Sequence, residues 1–528
     1  MHFELIFAAM LAVATAVAVV ARRLDLPFTV ALVLAGLVLG VVRPFEAPHL
    51  TKDLLYAVFL PGLLFEASYH LPWQAFRANK LAILSLALPG LVVAVALTAL
   101  LLAPAVVLFG LEPEFLLVHA LVFGALIAAT DPIAVSALFK SMGAPKRLLV
   151  LIEGESLIND GAAVVVFALA VQIATGGTVT VGYAVGQFAL IGALSVLIGG
   201  VTGMAVSLAT RRIDDPLIEI TLTTIAAYGS FAVAEHFGYS GVIACVVAGI
   251  ICGNYGARVG MSATTRIAVE SFWEYVAFVF NSFVFLLIGL EVSLAELARS
   301  WLAILVAFAA VLLARALVVA AATFLFRRTR ERIPWSWAAV LTWGGLRGAL
   351  SMVLVLGLAT DFPHRSFLVT ITFGVVLLTI LVQGLSMAPL LRRLGVVQPT
   401  RRHVAYDLAQ GRLRAAHAAL RELETLGAER RVAPELLSDA RADYERRIAA
   451  AERDLERLRP ELGSLRAEEQ HALARHMLMI EKAAVHDAAR DGFIERDAAG
   501  HIVGDIDVRL HALESSRERT AHDEAGKP

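Results

Sequence analysis

The sequence is poor in charged residues for its length. Only 17% of its 528 residues are Asp, Glu, Lys or Arg, whereas 58% are hydrophobic and the mean hydropathy is +0.74. In a soluble globular chain about a quarter of the residues are charged, so this composition excludes an ordinary soluble protein. It predicts a polytopic membrane protein surrounded by lipid.

A basic surface that could bind nucleic acid is also missing. The formal net charge is −1, and the basic residues form neither a stripe nor a cluster interleaved with aromatic residues. Binding to a phosphate backbone needs such a stripe. We therefore expect no nucleic-acid partner.

Cysteine is almost absent. Cys245 and Cys252 lie seven residues apart in one apolar stretch, and the pair provides neither a disulfide framework nor a four-ligand zinc site. We interpret both as packing residues and expect no cofactor. The first apolar run is better interpreted as a membrane helix than as a signal peptide, because Arg22 and Arg23 follow it instead of preceding it.

Long apolar segments occupy residues 1–395, which we predict to be the membrane domain. A spanning helix needs roughly 20 mostly apolar residues. Thirteen segments meet this requirement: 3–21, 25–42, 53–71, 82–109, 115–139, 148–175, 181–209, 216–235, 239–256, 270–290, 300–326, 335–360 and 366–391. The fold class is therefore an all-α membrane protein with thirteen transmembrane helices.

The positive charges of the connections give the orientation. The six odd-numbered connections contain fifteen Lys and Arg residues, and the six even-numbered connections contain four. Cytoplasmic loops carry the excess of positive charge. The N-terminus is therefore predicted to lie outside and the C-terminus in the cytoplasm.

Two of these spans contain residues that interrupt a helix. Span 5, "LIAATDPIAVSALF", has Asp131 followed by Pro132, and span 12, "LTWGGLRGALSMVLVLG", has Arg347 among three glycines. The two interruptions lie seven spans apart, as expected if spans 1–6 and 8–13 are inverted repeats whose broken helices cross at an ion site. The alternative is that proline and glycine merely kink packed helices.

Span 6 contains the polar stretch "EGESLINDGAAVV". At about 100° per residue, Ser156 and Asp160 share one helix face, with Glu153 two turns earlier on the same side. Glu155 and Asn159 form a second polar pair on a different face. The two faces are therefore predicted to have different roles.

A carboxylate within the membrane suits exchange of a cation for a proton. Desolvation favours the protonated form, so one carboxylate binds either H⁺ or a cation and binds both poorly. Hard monovalent cations prefer oxygen ligands. The predicted Na⁺ site consists of Asp160, Asp131, Ser156 and Thr130; Glu66 of span 3 either completes this shell or reaches water from a helix end.

Two arginines and two glutamates near this site are given supporting roles. Arg347 is permanently charged, and Glu155 is its natural partner in the membrane. Arg315, in the middle of span 11, is a possible structural residue that makes an ion pair or caps a carbonyl. Glu153 is expected near the cytoplasmic entrance.

The run "ATDPIAVSALFKSMGAPKRLLVLIEGESLINDGAAVVVF", followed downstream by "GGLRGALS", resembles the sodium/proton exchangers of the NhaP and NHE type, which belong to the monovalent cation:proton antiporters. The resemblance covers residues 1–395. It implies a homodimer with an elevator-like alternating-access core, in which Asp160 binds cation and proton beside Thr130 and Asp131. It also implies that Ser156 joins the shell and that Glu155 pairs with Arg347.

In that family, an Asn at the position of Asn159 generally accompanies electroneutral exchange. The resemblance thus implies one-for-one Na⁺(Li⁺)/H⁺ antiport at a single carboxylate site, serving pH homeostasis in the plasma membrane, the inner membrane of a bacterium. K⁺/H⁺ exchange by the same fold is the alternative, and the motifs do not decide between them. The chain is not expected to be an enzyme.

Two other classes are compatible with buried carboxylates. An intramembrane aspartyl protease is disfavoured because the spans lack a Gly-x-Gly-Asp stretch and Asp131 is fixed beside Pro132. A passive channel differs from an exchanger in that it does not couple proton flow to uphill cation movement.

Residues 396–528 are predicted to form a helical cytoplasmic tail. Positions 401–528 contain 47 of the chain's 91 charged residues. Helical patterns occur near 403–427, 433–459 and 461–486, and the chain is expected to be disordered after about residue 515. The tail is either a regulatory module or a solubilising appendage.

Overall fold

The computed structural model of the chain consists of two units, Met1–Gln398 and Pro399–Pro528, and each unit is considered by itself. The predicted boundary between membrane domain and tail lies at residues 395 and 396. The structure describes residues 3–23, 26–42, 54–177, 180–211, 213, 215–257, 260–261, 263–329, 331–397, 401–428 and 434–458, with scattered residues between 474 and 509.

Every regular element in the described part of the chain is helical. The helices of the first unit are α1 (Phe3–Arg23), α2 (Phe28–Val42), α3 (Leu60–His70), α4 (Trp73–Ala78), α5 (Lys80–Ser85), α6 (Leu91–Leu108), α7 (Leu117–Leu126), α8 (Ile133–Met142), α9 (Lys146–Ala174), α10 (Val181–Thr210), α11 (Pro216–His236), α12 (Gly241–Ile251), α13 (Ala263–Glu291), α14 (Leu294–Arg299), α15 (Trp301–Phe326), α16 (Trp335–Trp343), α17 (Ala349–Leu356), α18 (Arg365–Leu378) and α19 (Gly384–Arg393). Four π-helical segments adjoin them: Leu54–Phe59, Leu86–Gly90, Cys252–Gly256 and Thr379–Gln383.

Each of the thirteen predicted segments coincides with a helix, a continuous helical run or a broken pair of helices. By length and composition, seven described runs can cross a membrane: Lys80–Leu108, Lys146–Ala174, Gly182–Thr210, Pro216–His236, Thr265–Glu291, Trp301–Phe326 and Arg365–Arg393. Four further apolar helices are shorter. The chain is a multi-pass helical membrane protein, and the count of thirteen spans stays a prediction.

Both predicted interruptions are present. Span 5 divides into α7 and α8, and the residues between them, 127–132, are not helical. Span 12 divides into α16 and α17 around residues 344–348. Pro132 removes a backbone donor at the first break, and the glycines give the second break its conformational freedom.

Small residues allow close packing elsewhere in the membrane domain. A Cβ atom added to Gly36 of α2 would lie 2.9 Å from the Cα atom of Gly289 in α13, so the two backbones are nearly in contact there. Both cysteines are buried and unbonded to each other. The Cys245 thiol donates to the Pro61 carbonyl at 3.2 Å, which agrees with its interpretation as a packing residue.

The second unit contains two long helices, α20 (Arg401–Ala428) and α21 (Pro434–Leu458), that pack against each other. Their bounds agree with the first two predicted tail helices to within two residues. Exposed i,i+4 ion pairs lie on the surface of α21, such as Arg447–Asp443 at 2.8 Å. Most of the predicted 461–486 helix, and all of the segment after residue 515, lie outside the described residues.

Candidate functional site

The two interrupted helices cross, and each break supplies hydrogen-bond partners to the other. The Asp131 N–H donates to the Leu346 carbonyl at 2.8 Å. From the second break, Arg347 Nη1 donates to the carbonyls of Ala128 and Ala129 at 2.6 and 3.2 Å. Backbone groups that lose helical partners in lipid must find others, and here they find them across the crossing point.

Arg347 is buried, with 5% of its surface exposed. Its guanidinium lies at the C-terminal end of α7, where carbonyl groups lack helical partners and the helix dipole favours positive charge. Its backbone N–H donates to Thr379 Oγ1 at 3.2 Å, and Thr379 is the first residue of a π-helical segment. Arg347 thus forms hydrogen bonds that connect the two breaks with the π-helical segment Thr379–Gln383.

Glu155 pairs with Arg315, and the predicted pairing with Arg347 is wrong. Arg315 Nη1 and Nη2 donate to the two Glu155 carboxylate oxygens at 2.8 and 3.2 Å. Arg315 Nε donates to the Leu341 carbonyl near the end of α16 at 3.0 Å. The bidentate geometry satisfies both carboxylate oxygens, while the Arg347 guanidinium is engaged by backbone carbonyls. Arg315 therefore makes both of the contacts that were predicted as alternatives, an ion pair and a hydrogen bond to a backbone carbonyl.

The two polar faces of α9 point into different spaces, as the helical spacing predicts. Glu155 and Asn159 line a small cavity of about 30 Å³ together with Arg315 and Arg347. Ser156 and Asp160 line a larger cavity of about 270 Å³. The first face supports the crossing helices, and the second face is accessible to small solutes.

The first break is fastened to α9 by two side chains. Asn159 Nδ2 donates to the Ala128 carbonyl at 3.0 Å and lies 3.4 Å from Thr130 Oγ1. The Ser156 hydroxyl donates to the Thr130 carbonyl. The Thr130 hydroxyl and carbonyl and the Ser156 hydroxyl each keep a lone pair that can face a cation, whereas the Ala128 carbonyl already accepts from both Asn159 and Arg347.

The larger cavity brings together all five predicted binding residues: Asp160, Asp131, Ser156, Thr130 and Glu66. Asp131 Oδ1 accepts the Ile133 N–H at 3.0 Å, so this carboxylate satisfies the first backbone donor of α8. Asp160 Oδ1 is buried and has no protein hydrogen-bond partner in the part of the chain that is described. A buried acceptor of this kind is suited to bind a proton or a cation.

Four further ionisable residues line this cavity, namely Glu66, His70, Lys140 and Glu153. We call this group the mouth, because the Lys140 side chain is 62% exposed. His70 Nδ1 lies 3.2 Å from Glu66 Oε1, and Lys140 Nζ lies 3.4 Å from Glu153 Oε1. Glu153 is two turns, roughly 10 Å, from Asp160 along α9. From the sequence, Lys140 indicates only that its connection is cytoplasmic. Its pairing with Glu153 could not be predicted, because it depends on the fold.

Gly348 provides a first test of this geometry. A Cβ atom at this position would overlap the Asp131 carboxylate, so Gly348→Ala should displace Asp131 from the cavity. We expect the apparent affinity for the transported cation to fall at least about tenfold, the equivalent of roughly 1.4 kcal/mol, in a transport assay. Gly192→Ala is the matched control, because a Cβ there meets no atom within 4 Å. Equal affinities in the two variants would contradict the placement of Asp131.

Crossing broken helices beside a carboxylate-lined cavity, in a multi-pass helical protein, are the architecture of an ion-coupled membrane transporter. A profile of the family described as "Sodium/hydrogen exchanger, transmembrane" matches residues 8–393. The chain belongs to this family of transporters.

Individual relatives match over most of the chain. It is 34% identical to the "Na(+)/H(+) antiporter NhaG" of Bacillus atrophaeus over 94% of this chain and 95% of that protein. It is 38% identical to the "Na(+)/H(+) antiporter ApNhaP" of Aphanothece halophytica over 75% of each chain. The fold is similar to the solved sodium proton antiporter MjNhaP1 of Methanocaldococcus jannaschii, with a TM-score of 0.59, 16% identity, and coverage of 74% of this chain and 97% of that chain.

Proposed function

We propose that this protein is a secondary active Na⁺(Li⁺)/H⁺ antiporter whose cation and proton compete for Asp160. The observation that carries this proposal is the buried, unpartnered Oδ1 atom of Asp160 in a cavity shared with Asp131, Thr130 and Ser156. Antiport of Na⁺ and H⁺ by the relatives named above supports the choice of substrates.

In this mechanism Asp160 is the single group that exchanges its proton for the cation. Further oxygen ligands come from Asp131, the Ser156 hydroxyl and Thr130. Glu66 adds a carboxylate from α3 that lines the same cavity. Asp131 also accepts the first backbone N–H of α8, so the ligand shell is attached to the broken helix. A cation that displaces the proton leaves the net charge of the carrier unchanged.

The exchange is expected to be electroneutral, one proton for each cation. The residue before Asp160 is Asn159, whose amide is committed to the Ala128 carbonyl and does not titrate. The face of α9 that contains Glu155 and Asn159 thus provides structure without a second exchangeable proton. The core of the membrane domain that contains the crossing helices would carry the site across the membrane in an elevator-like movement.

The cavity mouth gives the side from which ions enter in this conformation. It lies beside the N-terminal turns of α9, next to the positively charged fifth connection, which the distribution of positive charge predicts to be cytoplasmic. We therefore propose an inward-facing state of a protein with an external N-terminus and a cytoplasmic tail. A homodimer of thirteen-span protomers with inverted repeats, in the plasma membrane of a bacterium, completes the proposal.

Cation-dependent proton flux in proteoliposomes tests this function. Addition of Na⁺ or Li⁺ should collapse a preset pH gradient at the same rate at zero potential and at an imposed potential. The apparent Na⁺ KM should rise as the pH falls, because H⁺ competes for the same carboxylate. A response to K⁺ alone would establish the K⁺/H⁺ alternative, and a flux that follows the potential without uphill coupling would indicate a channel.

A further inference from the structure

The cavity mouth contains an ion pair for which the exchange mechanism has no direct use. Lys140 lies in the last turns of α8 and Glu153 in the second turn of α9, so the pair bridges the two helices across the turn at Gly143. Lys140 Nζ and Glu153 Oε1 are 3.4 Å apart. The side chains are 62% and 23% exposed, respectively, which places the ammonium group at the outer rim and the carboxylate deeper.

The walls between this pair and Asp160 concentrate the effect of any charge at the mouth. Most of the remaining lining is apolar: Leu60, Leu63, Leu64, Ala67, Ala137 and Leu157. A cleft with low-dielectric walls focuses the field of its charges and changes the local concentration of ions. A charge on Lys140 or Glu153 therefore acts on a cation that passes along the cavity.

Four residues with ionisable side chains line the mouth. Glu66 pairs with His70 on α3 at 3.2 Å, and Lys140 pairs with Glu153. Among the residues that line the described cavity, Lys140 is the one with a permanent positive charge under ordinary conditions. Its ammonium cancels the Glu153 carboxylate, which would otherwise attract cations.

We propose that the Lys140–Glu153 pair sets the apparent cation affinity of the exchanger by neutralising the mouth of the cytoplasmic cavity. This proposal rests on the proposed function. Lys140 contacts neither the cation nor Asp160 and acts through Glu153, so it is a positioning residue. An entering cation competes with the ammonium group for the Glu153 carboxylate before it reaches the site.

Charge-neutralising variants test the proposal through the apparent Na⁺ KM. Lys140→Gln leaves the mouth one unit more negative and should lower KM about two- to threefold at low ionic strength. Glu153→Gln leaves it one unit more positive and should raise KM by a similar factor. The double variant restores the original net charge and should return KM close to the wild-type value, while kcat changes little in all three proteins.

Ionic strength distinguishes this electrostatic role from a purely structural bridge. Adding the chloride salt of a large organic cation to about 0.5 M shortens the screening length to a few ångströms, so the KM differences should shrink toward wild type. A structural bridge would instead give both single variants a lower kcat and reduced thermal stability, with no response to salt. That pattern, or KM shifts of the same sign in both variants, would overturn the proposal.

Three controls keep the experiment interpretable. Lys146→Gln removes the same charge from the same connection, but Lys146 does not line the cavity, and its KM should match wild type. Lys140→Arg keeps the charge and should also match, which separates charge from folding. Wild-type protein without cation-dependent proton flux would refute the proposed function itself; active wild type with an unchanged KM in Lys140→Gln refutes only the role of the pair.

Discussion

Asp160→Asn should reduce cation-dependent proton flux to the level of protein-free liposomes. The amide has nearly the same size as the carboxylate, but it neither releases a proton nor carries a negative charge to hold a cation. Asp160 Oδ1 has no partner among the described protein atoms, so the substitution breaks no recorded hydrogen bond at that atom. The loss of transport would therefore come from lost chemistry, with the fold retained.

Ligand-dependent stability provides a second readout for the same variant. A cation that binds only the folded protein stabilises it by about 1.4 kcal/mol at a concentration ten times Kd. Wild-type protein in detergent should therefore unfold at a higher temperature when Na⁺ replaces a large organic cation. The Asp160→Asn variant should lose this increment.

The matched control is Asp215→Asn. Asp215 is the N-cap of α11, and its Oδ1 atom accepts the Leu217 and Ile218 N–H groups. Asn caps helices about as well as Asp, so both transport and Na⁺-dependent stability should be retained. Undiminished exchange by Asp160→Asn would remove Asp160 from the site, and equal losses in both variants would indicate general damage.

The local features of this site could be predicted because they depend on neighbouring residues in the chain. Pro132 and the glycines around Arg347 mark both breaks, since they change the backbone whatever surrounds it. The separation of Ser156 and Asp160 from Glu155 and Asn159 follows from helix periodicity alone. The structure places these two pairs in two different cavities, as the spacing indicates.

Partners that are distant in the sequence could not be predicted in the same way. Periodicity gives the face on which Glu155 lies, but the identity of the residue opposite depends on which long side chains reach that face in the fold. Two arginines, Arg315 and Arg347, lie within predicted spans, and Glu155 is predicted to pair with Arg347 because its permanent charge needs a partner in the membrane and because the family resemblance implies that pair. Only the fold shows that Arg347 donates its hydrogen bonds to the free carbonyls after the end of α7. Glu155 therefore pairs with Arg315 instead.

Arg315→Met should be the most destabilising of the substitutions considered. Arg315 and Glu155 form a bidentate pair whose side chains are 13% and 4% exposed. Removing one partner leaves a buried charge uncompensated, which costs about 3–5 kcal/mol. The Leu341 carbonyl loses its donor as well. Denaturant titration in detergent micelles should show this loss in the free energy of unfolding.

The double variant Glu155→Leu with Arg315→Met distinguishes the loss of a buried ion pair from the loss of side-chain packing alone. Without either charge the desolvation cost disappears, so the double variant should be more stable than Arg315→Met alone. Arg266→Met is the control, because its pair with Glu270 is about half exposed, at 48% and 41%, and should change stability by at most about 1 kcal/mol. Additive losses in the double variant would mean that Glu155 has another counter-charge, and Arg347, which shares the same small cavity, would again be its partner.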